Sequence, residues 1–205
     1  MATVNGVSYY RITNTLRRLG IPFESLSPEQ AAFSPAKIII TTANEASLTK
    51  RKDVILDSGV DCYPVLLKAK ILRMIMGNHH DDQLTIGVDP GERIGVSVIY
   101  LRDEVDSFVE YSSYSAFKII SVLLSGIEST KKIVRIGDGD FSIAKQIAIM
   151  LHQKFQDLVH VEIVNEYGTS LPKFLDSNRR GIRDKSSARA IALRKGRIFR
   201  PKLII

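Results

Sequence analysis

The chain has 205 residues, 44% hydrophobic and 25% charged, a globular composition with room for one or two domains and not that of a disordered polyelectrolyte. No apolar run reaches the ~18 residues of a membrane span, the start of the chain lacks the charged-then-apolar pattern of a secretory leader, and a single cysteine, Cys62, excludes an intramolecular disulfide and a cysteine-based zinc cluster. The expectation is a cytoplasmic protein with no membrane association; its net charge of +7 points to a polyanionic partner.

Taken in chain order, Tyr9, Ile12, Leu16 and Leu19 share one helical face, Gly20 closes that helix, and Pro22 bars its continuation. Residues 21–25 read as a short strand and 37–42 as a stronger, β-branched one. A helix over 50–57 is stopped by Ser58-Gly59, residues 60–63 read as a further short strand, and Pro64 opens a helix through 66–76. Residues 1–76 therefore read as a small α/β domain with a short parallel sheet, of unassigned role. Residues 77–83 read as a polar linker, and the cluster His79-His80-Asp81-Asp82 within it as a solvated loop.

The second domain, 84–205, opens with strands over 84–89, 94–101 and 106–112. A helix over 115–125 ends at Gly126. Then come a strand over 132–136, a helix over 142–155, a strand over 159–165, a loop rich in Gly, Ser, Pro and Asn, and a last helix over 184–195. Charge is concentrated at this end. Residues 173–205 carry eleven Lys or Arg against Asp176 and Asp184, a net of +9, which leaves −2 for the rest of the chain. A near-neutral body with a basic end fits nucleic acid as the partner; a merely solvated tail is the alternative.

Acidic residues fall where elements begin or end. Asp89 closes the first strand of this domain, before the turn at Pro90-Gly91. Gly137-Asp138-Gly139-Asp140 follows the fourth strand, Glu166 follows the fifth, and Asp184 stands at the start of the last helix. The carboxyl ends of neighbouring parallel strands form one edge of a sheet. Carboxylates gathered there would repel and raise one another's pKa unless divalent cations joined them. Oxygen-only ligands suit Mg²⁺ or Mn²⁺, and a pair of such ions ~4 Å apart can hold a phosphodiester for hydrolysis. Each acid also has a plainer reading: Asp89 as a turn residue, Asp138 or Asp140 as a turn residue beside Gly139, Glu166 as a loop charge, and Asp184 as a helix cap.

Asp89-Pro90-Gly91 followed by Gly95-Val96 resembles the first strand pair of RNase H-like nucleases, in the branch of the RuvC-type Holliday junction resolvases and their YqgF-type relatives. Asn165-Glu166-Tyr167-Gly168-Thr169 is similar to the YqgF-type strand-five motif. Asp184-Lys185-Ser186-Ser187, followed by Ala190-Ile191-Ala192, is similar to the last-helix motif, whose small residues let the helix lie close to the sheet. The resemblance covers roughly residues 84–195. It implies a mixed α/β sheet in the order β-β-β-α-β-α-β-α and a Mg²⁺- or Mn²⁺-dependent endonuclease acting by two-metal-ion hydrolysis. Asp89, Asp138 (or Asp140), Glu166 and Asp184 would be both the catalytic residues and the ligands of the two ions.

The implied substrate is structured nucleic acid, branched or duplex DNA, with a four-way junction foremost. Such an enzyme would act as a homodimer, with the helix over 66–76 as the candidate dimer surface. Arg179, Arg180, Arg183, Lys185, Arg189 and Arg194 would grip phosphates beside the metals, and Tyr167 or Phe174 would wedge a junction open. Ser187 stands where RuvC-type enzymes carry a further acid. The competing expectation is accordingly a nucleic-acid-binding protein of the same fold with an incomplete metal site and no catalysis. An actin-like ATPase is disfavoured by the chain's length and its lack of Gly-rich phosphate loops.

Overall fold

A computed structural model of the protein describes residues 1–59, 63–77, 82–166 and 180–201. Cys62, most of the strand expected over 60–63, the His79-His80-Asp81 stretch of the linker, Tyr167, Phe174 and Arg179 lie outside the described residues. The chain divides into two units, Met1–Asn78 and His79–Ile205. No helix among the described residues is long and apolar enough to cross a membrane.

In the first unit, helix α1 (Gly6–Arg18) starts where the Asn5 side chain accepts the Ser8 N–H at 2.9 Å, an N-cap. It ends in a left-handed Gly20 (φ 65°), with the Gly20 N–H donating to Arg17 O and the Ile21 N–H to Leu16 O, both at 3.0 Å. This is the Schellman pattern that favours glycine at that position. A short helix α2 (Pro28–Ala31) follows a capping box between Ser27 and Gln30. Strands β1 (Ile39–Thr41) and β2 (Val54–Leu56) pair in parallel, and helix α3 (Pro64–Met76) has its proline in the first turn. Ile12 and Leu16 of α1, Ile40, Ile55, and Leu67 and Ile71 of α3 form the core. Leu67 and Ile71 thus serve the unit's own interior, while Ile75 stays exposed.

Two expectations for this unit fail. Residues 50–57 are not a helix: Lys50 takes a left-handed φ of 50° after a 3-10 turn (Ala46–Thr49), and the β-branched Val54-Ile55 enters the sheet. Residues 21–25 are not a strand. They carry no regular structure, and the nearest pairing is an isolated parallel bridge between Ala2 and Leu26.

The second unit is built on a six-stranded mixed sheet in the order β5-β4-β3-β6-β7-β8. The strands are β3 (Gln83–Asp89), β4 (Ile94–Tyr100), β5 (Asp103–Glu110), β6 (Lys131–Gly137), β7 (His160–Val164) and β8 (Arg197–Ile198). β3, β4 and β5 are antiparallel neighbours, β6 and β7 continue in parallel from β3, and the unforeseen β8 closes the far edge antiparallel to β7. Helices α4 (Ser113–Gly126) and α5 (Phe141–Phe155) connect β5 to β6 and β6 to β7. Capping by Ser112 and by Asp140 sets their starts.

Every residue of β4 is buried, so both faces of the central sheet are covered. The two faces differ in side-chain size. Leu84, Ile86 and Val88 of β3 alternate with Thr85 and Gly87, and Val96 and Val98 of β4 alternate with Gly95 and Ser97. The small face receives helix α6 (Arg180–Leu193), which buries Ser187, Ala188, Ile191 and Ala192. A Cβ at Gly87 would overlap the Ala188 carbonyl, and one at Gly95 the Asp184 carbonyl. The helix backbone lies directly on the strands, and only glycine permits that approach. Arg135 of β6 fixes the far end of α6: it donates to Ala192 O at 2.6 Å and pairs with Glu162 at 2.9 Å.

Candidate active site at the carboxyl edge of the sheet

Topology brings one edge of the sheet together from distant stretches of sequence. The ends of β3, β5, β6 and β7, the start of β4 and the amino ends of α4 and α5 all open onto it. Asp89 is the last residue of β3, paired across the ladder with Gly95. By alternation it lies on the face covered by α6, and the Ser187 hydroxyl of that helix hydrogen-bonds its carboxylate. Asp184 lies one turn inside α6, not at its start, because the helix begins at Arg180. The expected cap is thus corrected: packing against Gly95 positions Asp184, and its side chain points to Arg93, whose Nε is 3.4 Å from Oδ2.

Glu166 follows β7 and folds back over the β6 turn. Its Oε1 accepts the Gly139 N–H at 3.0 Å, and its own N–H donates to Asp138 Oδ1 at 3.0 Å. A Cβ at Gly137 would occupy the space of the Glu166 carboxylate. The glycines flanking Asp138 therefore make room for an acid from the next strand. Asp140 has a different role. It caps α5, accepting the Ile143 N–H at 3.0 Å. Of the two aspartates that sequence left open, Asp138 is the one tied to Glu166.

The electrostatics record the convergence. The Asp89 carboxyl is pushed up to about 7, first by burial and then by the negative charges of Glu166 and Asp184; the Ser187 hydrogen bond and the Arg183 charge oppose the rise. Glu166 is likewise raised above the usual carboxylate range, by burial and by Asp138, against the pull of the Gly139 N–H. Asp89 of β3 therefore senses the carboxylates of Glu166, at the end of β7, and of Asp184 on α6. Among the described residues, no three His, Cys, Asp or Glu side chains stand close enough to ligate a single ion as they are. In atom type and charge the set still fits a hard divalent cation: its donors are carboxylate oxygens, and Asp89 resists ionising because of burial and of its acidic neighbours.

The basic residues are less uniformly placed. Arg183 lies near enough to Asp89 to lower its pKa, and Lys185 is half-buried one turn into α6. Arg180 opens α6. Arg189 pairs with Glu104 of β5 at 3.1 Å, so its charge is partly compensated. Arg194 follows the helix and does not lie on it, with its guanidinium 3.5 Å from Asn165 O.

Sequence reading missed Arg93. It lies in the turn after Asp89-Pro90-Gly91, pairs with Asp184, and rests 5.8 Å from the ring centroid of Tyr111. Its position inside the strand–turn–strand segment was the available signal. Also unforeseen are three exposed aromatics along this edge: Tyr111, Tyr114 and Phe141. No protein-family model matches the chain, and no curated protein matches it significantly.

Proposed function

We propose that the second unit is an RNase H-like, Mg²⁺- or Mn²⁺-dependent endonuclease that hydrolyses phosphodiester bonds in structured nucleic acid, with four-way DNA junctions as its leading substrate. The observation that carries this reading is the half-enclosed Asp89 carboxyl at the end of β3, pushed up to about 7 first by burial and then by the charges of Glu166 and Asp184. The charges of Glu166 and Asp184, from two other elements, bear on Asp89, and a divalent cation drawn in among the three would relieve that repulsion. The element order along the second unit, β3-β4-β5-α4-β6-α5-β7-α6, agrees with the β-β-β-α-β-α-β-α order that the resemblance to RuvC- and YqgF-type proteins implies, and it supports the same reading.

In this reading Asp89, Glu166 and Asp184 hold the ions, with Asp138 orienting Glu166 through its backbone N–H. When bound, the ions would supply an activated water and charge stabilisation of the leaving 3′ oxygen. The chain does the rest. Asp89 gives up its proton as the site loads and is kept in place by Ser187. Arg183 and Lys185 hold the phosphodiester through charge-assisted hydrogen bonds. Tyr111, Tyr114 and Phe141 offer faces for bases unstacked at a branch point.

The test is incubation with labelled junction, duplex, single-stranded DNA and RNA in Mg²⁺ or Mn²⁺. Cleavage of the junction, lost in Asp89→Asn, is expected. Binding without cleavage at any metal concentration would instead support a second reading, a nucleic-acid-binding protein without catalysis. Ser187 favours that alternative, since it hydrogen-bonds Asp89 where a further carboxylate would complete the ligand set.

A further inference from the structure

One helix of the first unit carries a face that the packing of that unit does not use. Helix α1 (Gly6–Arg18) contains three arginines and no acidic residue. Its inner side is fully used. Ile12 and Leu16 enter the core, and the Ser8 hydroxyl and Arg11 guanidinium both bind Asp57, at 2.7 and 3.1 Å. The outer side is open: Val7 (70% exposed), Tyr10 (69%), Asn14, Arg17 and Arg18 are all exposed, with Arg17 also resting against the Phe23 ring. At 100° per residue these positions fall on one continuous face.

The helix dipole accounts for basic residues in the last turn, but it equally favours an acid in the first turn, and α1 has none there. A solvated helix face normally mixes both signs. This one is positive and interleaved with a tyrosine and an asparagine, the side chains that meet sugar, phosphate and base edges.

We infer that the outer face of α1, through Tyr10, Asn14, Arg17 and Arg18, is a nucleic-acid contact surface that gives the first unit its part in substrate binding. The occupant is the phosphate backbone of DNA or RNA, recognised without regard to sequence. The inference rests on the nucleic-acid part of the reading above and not on its metal chemistry. The core residues and the Asp57 anchor hold α1 rigid, so these side chains need little ordering when they bind.

The experiment is fluorescence anisotropy with the full chain in EDTA, on a labelled DNA duplex and a second duplex of unrelated sequence, over a series of salt concentrations. Arg17→Ala/Arg18→Ala is expected to weaken binding equally on both duplexes. It should also reduce the slope of log affinity against log salt by about two, roughly one per arginine. Arg17→Lys/Arg18→Lys should restore the slope. Because Arg17 also rests 5.9 Å from the Phe23 ring centroid, Arg18→Ala alone serves as a structurally neutral variant, with a slope change of about one. Curves superimposable on those of the unaltered protein would overturn the inference, as they would if the helix met an acidic protein instead; so would a lack of duplex binding by the unaltered protein. Binding that responds to these variants, without cleavage in Mg²⁺ or Mn²⁺, would overturn the nuclease reading alone.

Discussion

Arg93 and Asp184 form an ion pair, Nε to Oδ2 at 3.4 Å, between the β3–β4 turn and the interior of α6. The pair supplies a cation inside a group of carboxylates. Arg93 is about one-third exposed, so solvent screens much of the interaction. Arg93→Ala removes that cation from beside Asp184, whose charge already acts on Asp89. The expected loss is about 1 kcal/mol of stability above neutral pH, and less near pH 5, where Asp89 is protonated. Urea unfolding at the two pH values measures the difference.

Asp89 makes the metal-free protein sensitive to alkali. Its carboxyl sits at about 7 in the fold against an ordinary 3.8. A raised pKa means that the folded state holds the proton more tightly. That contribution is fully present below the unfolded pKa and is lost as pH rises through about 7, amounting to at most ~4 kcal/mol. Glu166, also raised, acts in the same direction. Asp89→Asn should remove most of this slope and be more stable than the unaltered protein above neutral pH in EDTA. Mn²⁺ should stabilise the unaltered protein there, and far less near pH 5. Thermal melts across this range read both effects.

Asp138 and Asp140 separate by function. Asp140 caps α5, so Asp140→Ala should cost about 1 kcal/mol and leave metal-dependent cleavage intact. Asp138 accepts the Glu166 N–H, so Asp138→Asn should lower cleavage with little change in the unfolding midpoint. Parallel melts and cleavage assays distinguish the two.

Gly95 tests how α6 docks beside Asp184. A Cβ there meets the Asp184 backbone carbonyl, which cannot rotate away. Gly95→Ala should cost about 2–3 kcal/mol and displace Asp184. Denaturant unfolding gives the energy, and loss of Mn²⁺ binding in the folded variant shows the displacement.

Sequence carried the sheet of the second unit well, because β3 and β4 are long, β-branched and bounded by a Pro-Gly turn. The places of Asp89 at the end of β3 and of Glu166 just after β7 were legible for the same reason: strand ends are sharp where the hydrophobic run stops. Sequence misplaced the start of α6, because Gly181 is a poor helix former and Asp184 has the composition of a cap, whereas contact with Gly87 and Gly95 extends the helix a turn further back. Lys50 to Asp53 masked β2, whose three residues are too short to show a period. β8, two residues long, exists only because β7 offers it an edge. Arg93 was legible as a residue but not as a partner, since its contact with Asp184 spans the whole domain.

The central claim is that Asp89, Glu166 and Asp184 act as one divalent-cation site, and Mn²⁺ titration by isothermal calorimetry tests it most directly. Binding by the unaltered protein, with proton release near neutral pH, should be lost or greatly weakened in each of Asp89→Asn, Glu166→Gln and Asp184→Asn, while Asp140→Asn binds normally. Equal Mn²⁺ affinity in all of these proteins, or none in any, would contradict it.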